Sequence, residues 1–550
     1  MTHFNQIESA RNEPSMLLRV KVQALLLIGC VALCQPGQSF AETADYDLLL
    51  RNGRIVDGTG NPWYRADVAI RGDTIVLIAP SIDTPATTVI DVGGQVIAPG
   101  FIDIHTHAEH GIFSVPTADN YVRQGVTTLI GAPDGDSPVP LGAFLARLDA
   151  LPKTINIGMF AGQGAVRAAV IGEHDRAATA AELDEMRALV AQAMADGAFG
   201  LSTGLFYVPG SFTPTDEVVE LAKVAARAGG IHISHMRDEA AAVLDSVRET
   251  IAIGERALLP TQVTHHKIVG RPNWGRSTDT LRLVDEARAR GVDVTIDLYP
   301  YTASSTRISA ALFPAWSREG GAGSMRARLE DGATRGRVKV EVARIIRDER
   351  GGGDLENVVL ARCEWDESLA GKTLADIARL RGLEPGLEAG AEAAIWIVEQ
   401  GDCQGNFHAM SEEDLERILR HPASMVASDG GVVVFGRAHP HPRSYGTFAR
   451  VLSEYVRERG VLTLEEAVRK MTSFPAQRLG LPDRGVLRPG FKADVAVFDP
   501  ARVRDAATYR EPHQYAKGFS LVLVNGVPVF DGEAVTGARP GRTLVPGSRT

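Results

Sequence analysis

Residues 95–107 read QVIAPGFIDIHTH, a stretch that decides the fold because a short apolar run ends in two histidines. Residues i and i+2 of a β-strand point to the same face, so His105 and His107 would lie side by side at the strand's end. Two imidazoles placed in this way form a candidate metal-binding pair. The pattern is weak by itself, since two polar residues also begin many loops.

Seven more short apolar runs follow, most of them at intervals of about 30 residues. They read VTTLIGA (126–132), INIGMFAG (155–162), AFGLSTGLF (198–206), GIHISHM (230–236), PTQVTHHKI (260–268), DVTIDLYPY (293–301) and SMVASDG (424–430). Patterns typical of helices lie between them, for example at 181–195 and 216–228. Eight buried strands that alternate with helices predict a (β/α)8 barrel of the TIM type over residues 99–484.

The two ends of the chain have a different character. Residues 46–98 alternate β-rich runs with turn signals, and residues 485–500 and 520–532 resemble them. We therefore expect a small β-sandwich domain formed by residues 42–98 together with 485–550. One barrel interval is unusually long, because about 120 residues separate the seventh strand from the eighth. Residues at about 310–405 are predicted to form an insertion in this late βα loop.

The first 41 residues have the features of a secretory signal peptide. Arg19 and Lys21 precede an apolar run at 22–33, and residues 39–41 form a small-x-small cleavage site. The apolar run is too short for a transmembrane anchor, so we expect no integral membrane span after cleavage. The mature protein is expected to be periplasmic or secreted. A lipoprotein anchored at Cys30 is the alternative, because residues 27–30 resemble a lipobox.

Composition narrows the classes of function. The 550 residues are 44% hydrophobic and 23% charged, which is typical of globular proteins and excludes disordered and coiled-coil proteins. The net charge of −10 gives no basic footprint for nucleic acid or for an anionic membrane, so neither is expected as a partner. Beyond residue 41 the cysteines are Cys363 and Cys403. They could pair in an oxidising compartment or remain as two buried thiols.

The other strand ends carry residues of similar chemistry. Asp134 follows the second strand, His235 ends the fifth and Asp429 ends the eighth. The sixth strand ends in His265 and His266, and spacing alone cannot select the ligand of the two. Barrel enzymes collect their catalytic groups at the carboxyl ends of the strands. Imidazoles combined with carboxylates suit zinc or a similar divalent ion, so the sequence predicts a metal site.

The remaining histidines are interpreted differently. His232 lies three residues before His235 and faces the opposite side of the strand, which favours a structural role. Three histidines near the expected site loops have no assigned role, namely His408, His439 and His441. Four others are expected to be surface or structural residues, namely His110, His174, His421 and His513.

Several stretches together resemble the D-aminoacylase (N-acyl-D-amino-acid deacylase) family of the amidohydrolase superfamily. They are QVIAPGFIDIHTH (95–107), GLSTGLFYVPG (200–210), HISHMRDE (232–239), THHKIVG (264–270), DLYPYTASST (297–306), SDG (428–430) and HPRSYGTF (441–448). The first stretch is specific to the superfamily, and the set is specific to the family. The resemblance covers about residues 46–535. It implies a metal-dependent barrel with a small β domain from both chain ends and an inserted segment.

The resemblance also implies roles for individual residues. His235 and His265 would bind one zinc ion, and His105 and His107 would form an adjoining, weaker position. Asp429 would be the catalytic carboxylate beside the metal and one of its ligands. Five further residues match positions that shape the family's substrate pocket, namely Lys267, Tyr207, Tyr299, Ser305 and Arg443.

One motif departs from the family pattern. Many members carry a bridging cysteine ligand after the second strand, where this chain reads GAPDGDSP (131–138). We expect Asp134 to replace the cysteine, with Asp136 as the second choice. A carboxylate in place of a thiolate makes the site harder, which leaves the identity of the metal and its number, one or two ions, open.

The expected reaction is hydrolysis of the amide bond of an N-acyl-D-amino acid, which releases a carboxylate and a free D-amino acid. A metal would activate water, and Asp429 would act as general base and then acid. Lys267 and Arg443 would bind the substrate carboxylate. The first alternatives are hydrolysis of a dipeptide or of a cyclic amide. Cyclic-amide relatives of the hydantoinase and dihydroorotase type often use a carbamylated lysine on the fourth strand, which here lacks lysine. The third alternative, metal or solute binding without catalysis, is disfavoured by Asp429.

Overall fold

The structure is a computed structural model that describes residues 45–547. The predicted signal peptide at 1–41, with the lipobox at Cys30, lies outside the described residues. Within 45–547, no helix combines the length and the apolar character that crossing a membrane requires.

The strands are numbered in chain order. The first group is β1 Tyr46–Ile55, β2 Tyr64–Arg71, β3 Thr74–Ala79, β4 Ala86–Asp91 and β5 Val96–Pro99. The second is β6 Phe101–Asp103, β7 Val126–Gly131, β8 Asn156–Met159, β9 Ala161–Gly162, β10 Gly200–Gly204, β11 Ile231–His235, β12 Thr261–Val263 and β13 Val294–Leu298. The third is β14 Ala303–Arg307, β15 Val358–Arg362, β16 Gln404–His408, β17 Ser424–Val426, β18 Val495–Phe498, β19 Phe519–Val524 and β20 Val527–Phe530.

The α-helices follow the same convention. Those before β13 are α1 Asp119–Val122, α2 Leu141–Ala150, α3 Gln163–Val170, α4 Ala180–Asp196, α5 Thr215–Arg227, α6 Val243–Ala257 and α7 Ser277–Ala289. Those after it are α8 Ile308–Leu312, α9 Gly321–Glu330, α10 Gly332–Ile345, α11 Leu374–Leu380, α12 Leu387–Gln400, α13 Glu412–Arg420, α14 Arg443–Arg450, α15 Leu464–Met471 and α16 Ser473–Leu479. Helices α10 and α14 continue as π-helical turns over Ile346–Arg350 and Val451–Glu458.

The predicted (β/α)8 barrel is confirmed. Parallel pairing runs through β6–β7–β8 and through β9–β10–β11–β12–β13–β17, and a single residue, Phe160, separates β8 from β9. These two strands therefore form the third barrel position in two pieces. The first and eighth positions meet where the His107 amide donates to the Gly430 carbonyl at 2.7 Å and the Asp429 amide donates to His105 at 3.0 Å.

Buried apolar residues explain why these short runs are strands. Every residue of β6, β7, β10, β11, β12, β13 and β17 is buried, as expected for parallel strands covered by helices. Helix α4 illustrates how the outer helices are delimited. Thr179 and Glu182 form a reciprocal capping box at its start, and Gly197 ends it with a φ of 116°.

Strands from both chain ends form one eight-stranded sheet in the order β20–β19–β18–β5–β1–β2–β3, with β4 also paired to β1. The antiparallel pair β5–β18 connects the two ends of the chain. The expected sandwich is thus joined by hydrogen bonds into a single sheet. The last described segment differs from the expected 485–550 assignment, because Thr543 bridges to Ile157 of β8 and Leu544 is buried among barrel residues.

The segment between β13 and β17 forms a separate layer. Its antiparallel sheet has the order β14–β16–β15, and an apolar cluster of its own packs beneath it. The layer begins at Ala303, slightly before the expected 310. Cys363 and Cys403 form a disulfide within it, which decides between the two states that the sequence left open.

Candidate metal centre and active site

The carboxyl ends of five barrel positions converge on one site. His105 and His107 follow β6, Asp134 follows β7, and His235 is the last residue of β11. His265 follows β12 and Asp429 follows β17, and all six side chains were among the predicted site residues. Two of these residues leave ordinary strand geometry, with φ angles of 32° at His265 and 51° at Asp429. Such left-handed backbone conformations are costly and cluster at functional sites.

Asp134 lies at the centre of the site. Its Oδ1 is 3.3 Å from His105 Nε2 and 3.5 Å from His265 Nε2. Its Oδ2 is 3.5 Å from both His107 Nε2 and His235 Nδ1. Each carboxylate oxygen therefore faces one histidine of each predicted pair.

Three groups of ligands within the described residues meet the distance requirements of a metal site. His107, Glu109 and His110 form a group at the rim, and the other two groups overlap at the centre. One contains His105, His107, Asp134 and Asp429, and the other contains Asp134, His235 and His265. Asp134 belongs to both groups, which is the position that a bridging ligand would occupy. The ligand types, imidazole and carboxylate, suit zinc and similar divalent ions. Both ring nitrogens of His105 and the Oδ1 of Asp134 are buried without a hydrogen bond in the described structure, which a bound cation would resolve.

Asp429 is held between a histidine and a guanidinium. Its Oδ1 is 3.2 Å from His107 Nε2, and its Oδ2 accepts a hydrogen bond from Arg443 at 2.7 Å. Burial by itself would raise the pKa of Asp429, but Arg443 and then His265 lower it well below its ordinary value. The carboxylate is therefore ionised at neutral pH, as a general base requires.

The histidines respond to the same carboxylates. Burial opposes protonation of His265, but Asp134 and Asp429 raise its pKa to about 9. Burial likewise opposes protonation of His107, whose pKa is nevertheless raised well above its ordinary value by Asp134, Asp429 and Glu109. The site thus concentrates negative charge, which favours a bound cation as much as a proton.

Three buried carboxylates behind the histidines were missed by sequence reasoning. Asp297 Oδ1 is 3.7 Å from His105 Nδ1, and Glu109 Oε1 is 3.6 Å from His107 Nδ1. Glu239 Oε1 is 3.2 Å from His265 Nδ1. Two of them had a signal in the sequence, since Glu109 follows His107 by two residues and Glu239 lies four residues after a strand-end histidine.

The predicted substrate-pocket residues border the same site. Lys267 Nζ is 2.6 Å from both Glu239 and His265 Nδ1. The Arg443 guanidinium lies over the Tyr299 ring at 4.7 Å and donates to the backbone carbonyl of Ser305 at 3.5 Å. The side chain of Ser305 is half-buried. Tyr207 accepts a hydrogen bond from Thr306, and its ring packs against His235.

Other candidates lie away from the centre. His266 is hydrogen-bonded to Thr280 at 2.8 Å, which leaves His265 as the histidine that faces the site. His232 is bonded to Thr203 and Thr261 on the opposite side of its strand.

Asp136 belongs to neither of the two ligand groups that share Asp134. His110 is exposed, as expected of a surface residue, and its Nε2 lies 3.4 Å from Glu109 at the rim. The unassigned His408 contacts the Tyr509 ring, and His439 and His441 bond to backbone carbonyls.

A barrel with this ligand set at the carboxyl ends of its strands defines an amidohydrolase. The profile of the amidohydrolase family matches residues 88–530. A D-aminoacylase of Alcaligenes xylosoxydans xylosoxydans is 37% identical, over 92% of this chain and 99% of its own length. The chain belongs to the D-aminoacylase family of the amidohydrolases.

Solved structures give the same relationship. A crystal structure of D-aminoacylase superposes with a TM-score of 0.78 at 34% identity and covers 91% of this chain and 100% of its own. The N-acyl-D-glutamate deacylase of Bordetella bronchiseptica was solved with zinc and a phosphonate that mimics the tetrahedral intermediate. It superposes with a TM-score of 0.77 at 35% identity over 91% of this chain and 99% of its own.

Proposed function

We propose that this protein hydrolyses the amide bond of N-acyl-D-amino acids, releasing a carboxylate and a free D-amino acid. The observation that carries the proposal is the position of Asp134, which faces four strand-end histidines beside a buried, ionised Asp429. Relatives at 35–37% identity are named for this reaction on D-amino acids, which supports both the linear amide and the D configuration.

The ligands fit one or two zinc ions. One ion would be held by His235 and His265. The second position would be formed by His105, His107 and Asp429, and both positions would share Asp134. A divalent ion bound here would lower the pKa of a water molecule towards 7 and polarise the acyl carbonyl. Zinc in the structure of the glutamate deacylase relative supports this choice of metal.

Asp429 moves the proton in the proposed reaction. Its Oδ1 faces the metal-binding residues, so it can accept a proton from the attacking water. The protonated carboxyl group then delivers that proton to the leaving nitrogen of the amino acid. Arg443, bonded to the second oxygen, holds the carboxylate in one orientation during both transfers.

Cationic residues would bind the substrate carboxylate. Lys267 and Arg443 are both buried beside the centre, where a charge-assisted bond to a carboxylate is strong. Tyr299 lies between them, since both cations contact its ring. Tyr207 and Ser305 complete the proposed pocket.

We expect the substitution Asp429→Asn to lower turnover by roughly 10²- to 10⁴-fold, the usual contribution of a general acid–base group. The His235–His265 position should retain its metal, so at least one equivalent should remain by elemental analysis. Asp285→Asn is the matched control, because Asp285 also pairs with a histidine but lies on the surface. Near-normal turnover by Asp429→Asn would contradict the assignment of the base.

We also propose that the protein is exported. The basic residues and apolar run at 19–33 support this, and so does the Cys363–Cys403 disulfide, since such bonds persist in oxidising compartments. Fractionation of cells that produce the full chain tests the proposal. A periplasmic or external product cleaved near residue 41 is expected, and a lipid-modified product would favour anchoring at Cys30.

A further inference from the structure

His235 and His265 share a feature that the proposed reaction does not use. Each directs one ring nitrogen towards Asp134 and the other towards a single carboxylate, Glu239. The outward nitrogens are Nε2 of His235, 3.8 Å from Glu239 Oε1, and Nδ1 of His265, 3.2 Å from the same oxygen. One buried oxygen therefore lies behind two neighbouring ligands.

A neutral imidazole that binds a metal through one nitrogen carries its proton on the other, and that N–H needs an acceptor. His235 Nε2 is buried and has no hydrogen bond within the described residues, so the carboxylate is its available acceptor. His265 Nδ1 has two polar neighbours, the Glu239 carboxylate and the Lys267 ammonium group, which is ion-paired with that carboxylate. Of these, only the carboxylate can accept a proton.

We propose that Glu239 is a positioning residue that fixes the tautomer and orientation of His235 and His265 and thereby sets the affinity of this half of the metal centre. The inference rests on the proposed function only in taking this centre as the catalytic one. Glu239 would act through the two histidines, since it lies behind them.

The surroundings of Glu239 add a charge effect. The carboxylate is 2% exposed and pairs with two buried cations, Lys267 at 2.6 Å and Arg350 at 3.4 Å. Removing its charge would leave both cations unbalanced next to the metal ligands. Arg350 ends the π-helical turn of the inserted layer, so the insertion contributes a contact to this half of the centre.

The other half of the centre has its own carboxylates. Glu109 lies behind His107 and Asp297 lies behind His105. Within residues 45–547, Glu239 pairs with His235 and His265 and with neither of the other two histidines. Loss of Glu239 should therefore weaken one metal position selectively. A general loss of stability would weaken both.

The test is metal titration of metal-free protein with Zn²⁺ and with Co²⁺, whose visible absorption reports ligand geometry. For Glu239→Gln we expect metal affinity at one position to fall by about 10- to 100-fold, with a changed Co²⁺ spectrum. Glu109→Gln should instead weaken the position that contains His107. Glu217→Gln is the matched control, because Glu217 is also buried against an arginine, Arg167, and its ion pair includes none of the metal-binding residues.

Unchanged affinity and spectrum in folded Glu239→Gln would overturn the proposal, as would an equal loss in Glu217→Gln. If Glu239→Gln does not fold, Glu239→Asp keeps the charge and shortens the reach, and it should bind metal more weakly than wild type while folding normally by circular dichroism. Wild-type affinity in Glu239→Asp would then contradict the role. Because the readout is metal binding, failure of the wild-type protein to deacylate any substrate would overturn the proposed function and leave this result intact.

Discussion

Asp134 shows how a single residue changes the chemistry of a metal site while its place in the fold stays the same. The resemblance implies a cysteine at this position in many relatives, and here both carboxylate oxygens take part, each facing two histidines. A thiolate offers one soft sulfur, whereas a carboxylate offers two hard oxygens. We therefore expect this centre to tolerate harder divalent ions than a cysteine-containing one.

Replacement of this carboxylate tests that expectation. Asp134→Cys should raise the affinity for Cd²⁺ relative to Mn²⁺ by roughly tenfold or more, because thiolates select soft metals. Competitive metal titration measures the ratio. Asp136→Cys is the matched control on the same loop and should leave the ratio unchanged. A shift in the control rather than in Asp134→Cys would make Asp136 the ligand.

His232 gives the fold a defined sensitivity to acid. Burial lowers its pKa to about 3, while an unfolded histidine titrates near 6.5. The unfolded chain therefore binds the proton first, so stability is lost as pH falls below about 6.5. Between pH 7 and pH 5 this residue should account for about 2 kcal/mol of that loss.

The substitution His232→Gln should reduce the pH dependence. In metal-free protein, the fall in Tm between pH 7 and pH 5 should be smaller for the variant than for wild type, although the variant is less stable at pH 7. His174→Gln, at a surface loop, serves as control. An identical fall in the variant and in wild type would exclude His232 as a source of acid sensitivity.

At the scale of elements, the sequence predicts strands and helices that have a periodic apolar pattern. It does not predict the orientation of side chains beyond the end of a strand. The eight barrel strands and helix α4 follow from short buried runs and helical patterns, because these periodicities reflect packing directly. Spacing alone could not choose between His265 and His266, and His265 was implied only by the family resemblance. The chain leaves the strand at His265 with a positive φ, so the alternation of faces no longer applies.

The inserted layer contains a cross-link that spacing could not predict. Cys363 and Cys403 lie 40 residues apart in sequence, and the pairing of β15 with β16 places Arg362 opposite Gln404, next to the two cysteines. Both cysteines belong to the apolar cluster of the layer. The disulfide closes a loop that contains α11 and α12, so it should restrict the unfolded insertion more than the barrel.

Removing the disulfide tests this expectation. The double substitution Cys363→Ser and Cys403→Ser should destabilise the protein by about 4 kcal/mol, the loop-closure value for this separation. Limited proteolysis should then cut faster between residues 310 and 405. Reducing agent should reproduce the effect in wild type and add nothing in the double variant. Equal cleavage rates with and without the disulfide would contradict a stabilising role.

At the scale of the whole molecule, the two ends of the chain close the structure in two places. The pair β5–β18 was foreseeable as a shared sheet, because both ends carry alternating β-rich runs. The contact of residues 543 and 544 with β8 was not foreseeable, since so short a segment carries no periodic sequence pattern. Asp297 escaped prediction for a related reason, because its partner His105 comes from a distant part of the chain.

This barrel is expected to hydrolyse linear N-acyl-D-amino acids with a divalent metal. The most direct measurement compares deacylation of matched N-acetyl-D- and N-acetyl-L-amino acids by zinc-loaded protein, with acidic, basic and apolar side chains in each set. We expect turnover of D substrates, with the L forms slower by roughly 100-fold or more. A pocket that binds the carboxylate, side chain and amide of a D-amino acid cannot place all three groups of the L enantiomer in the same positions. Equal rates for the two forms, or no turnover by protein that holds its metal, would contradict the claim and direct attention to cyclic amides and dipeptides.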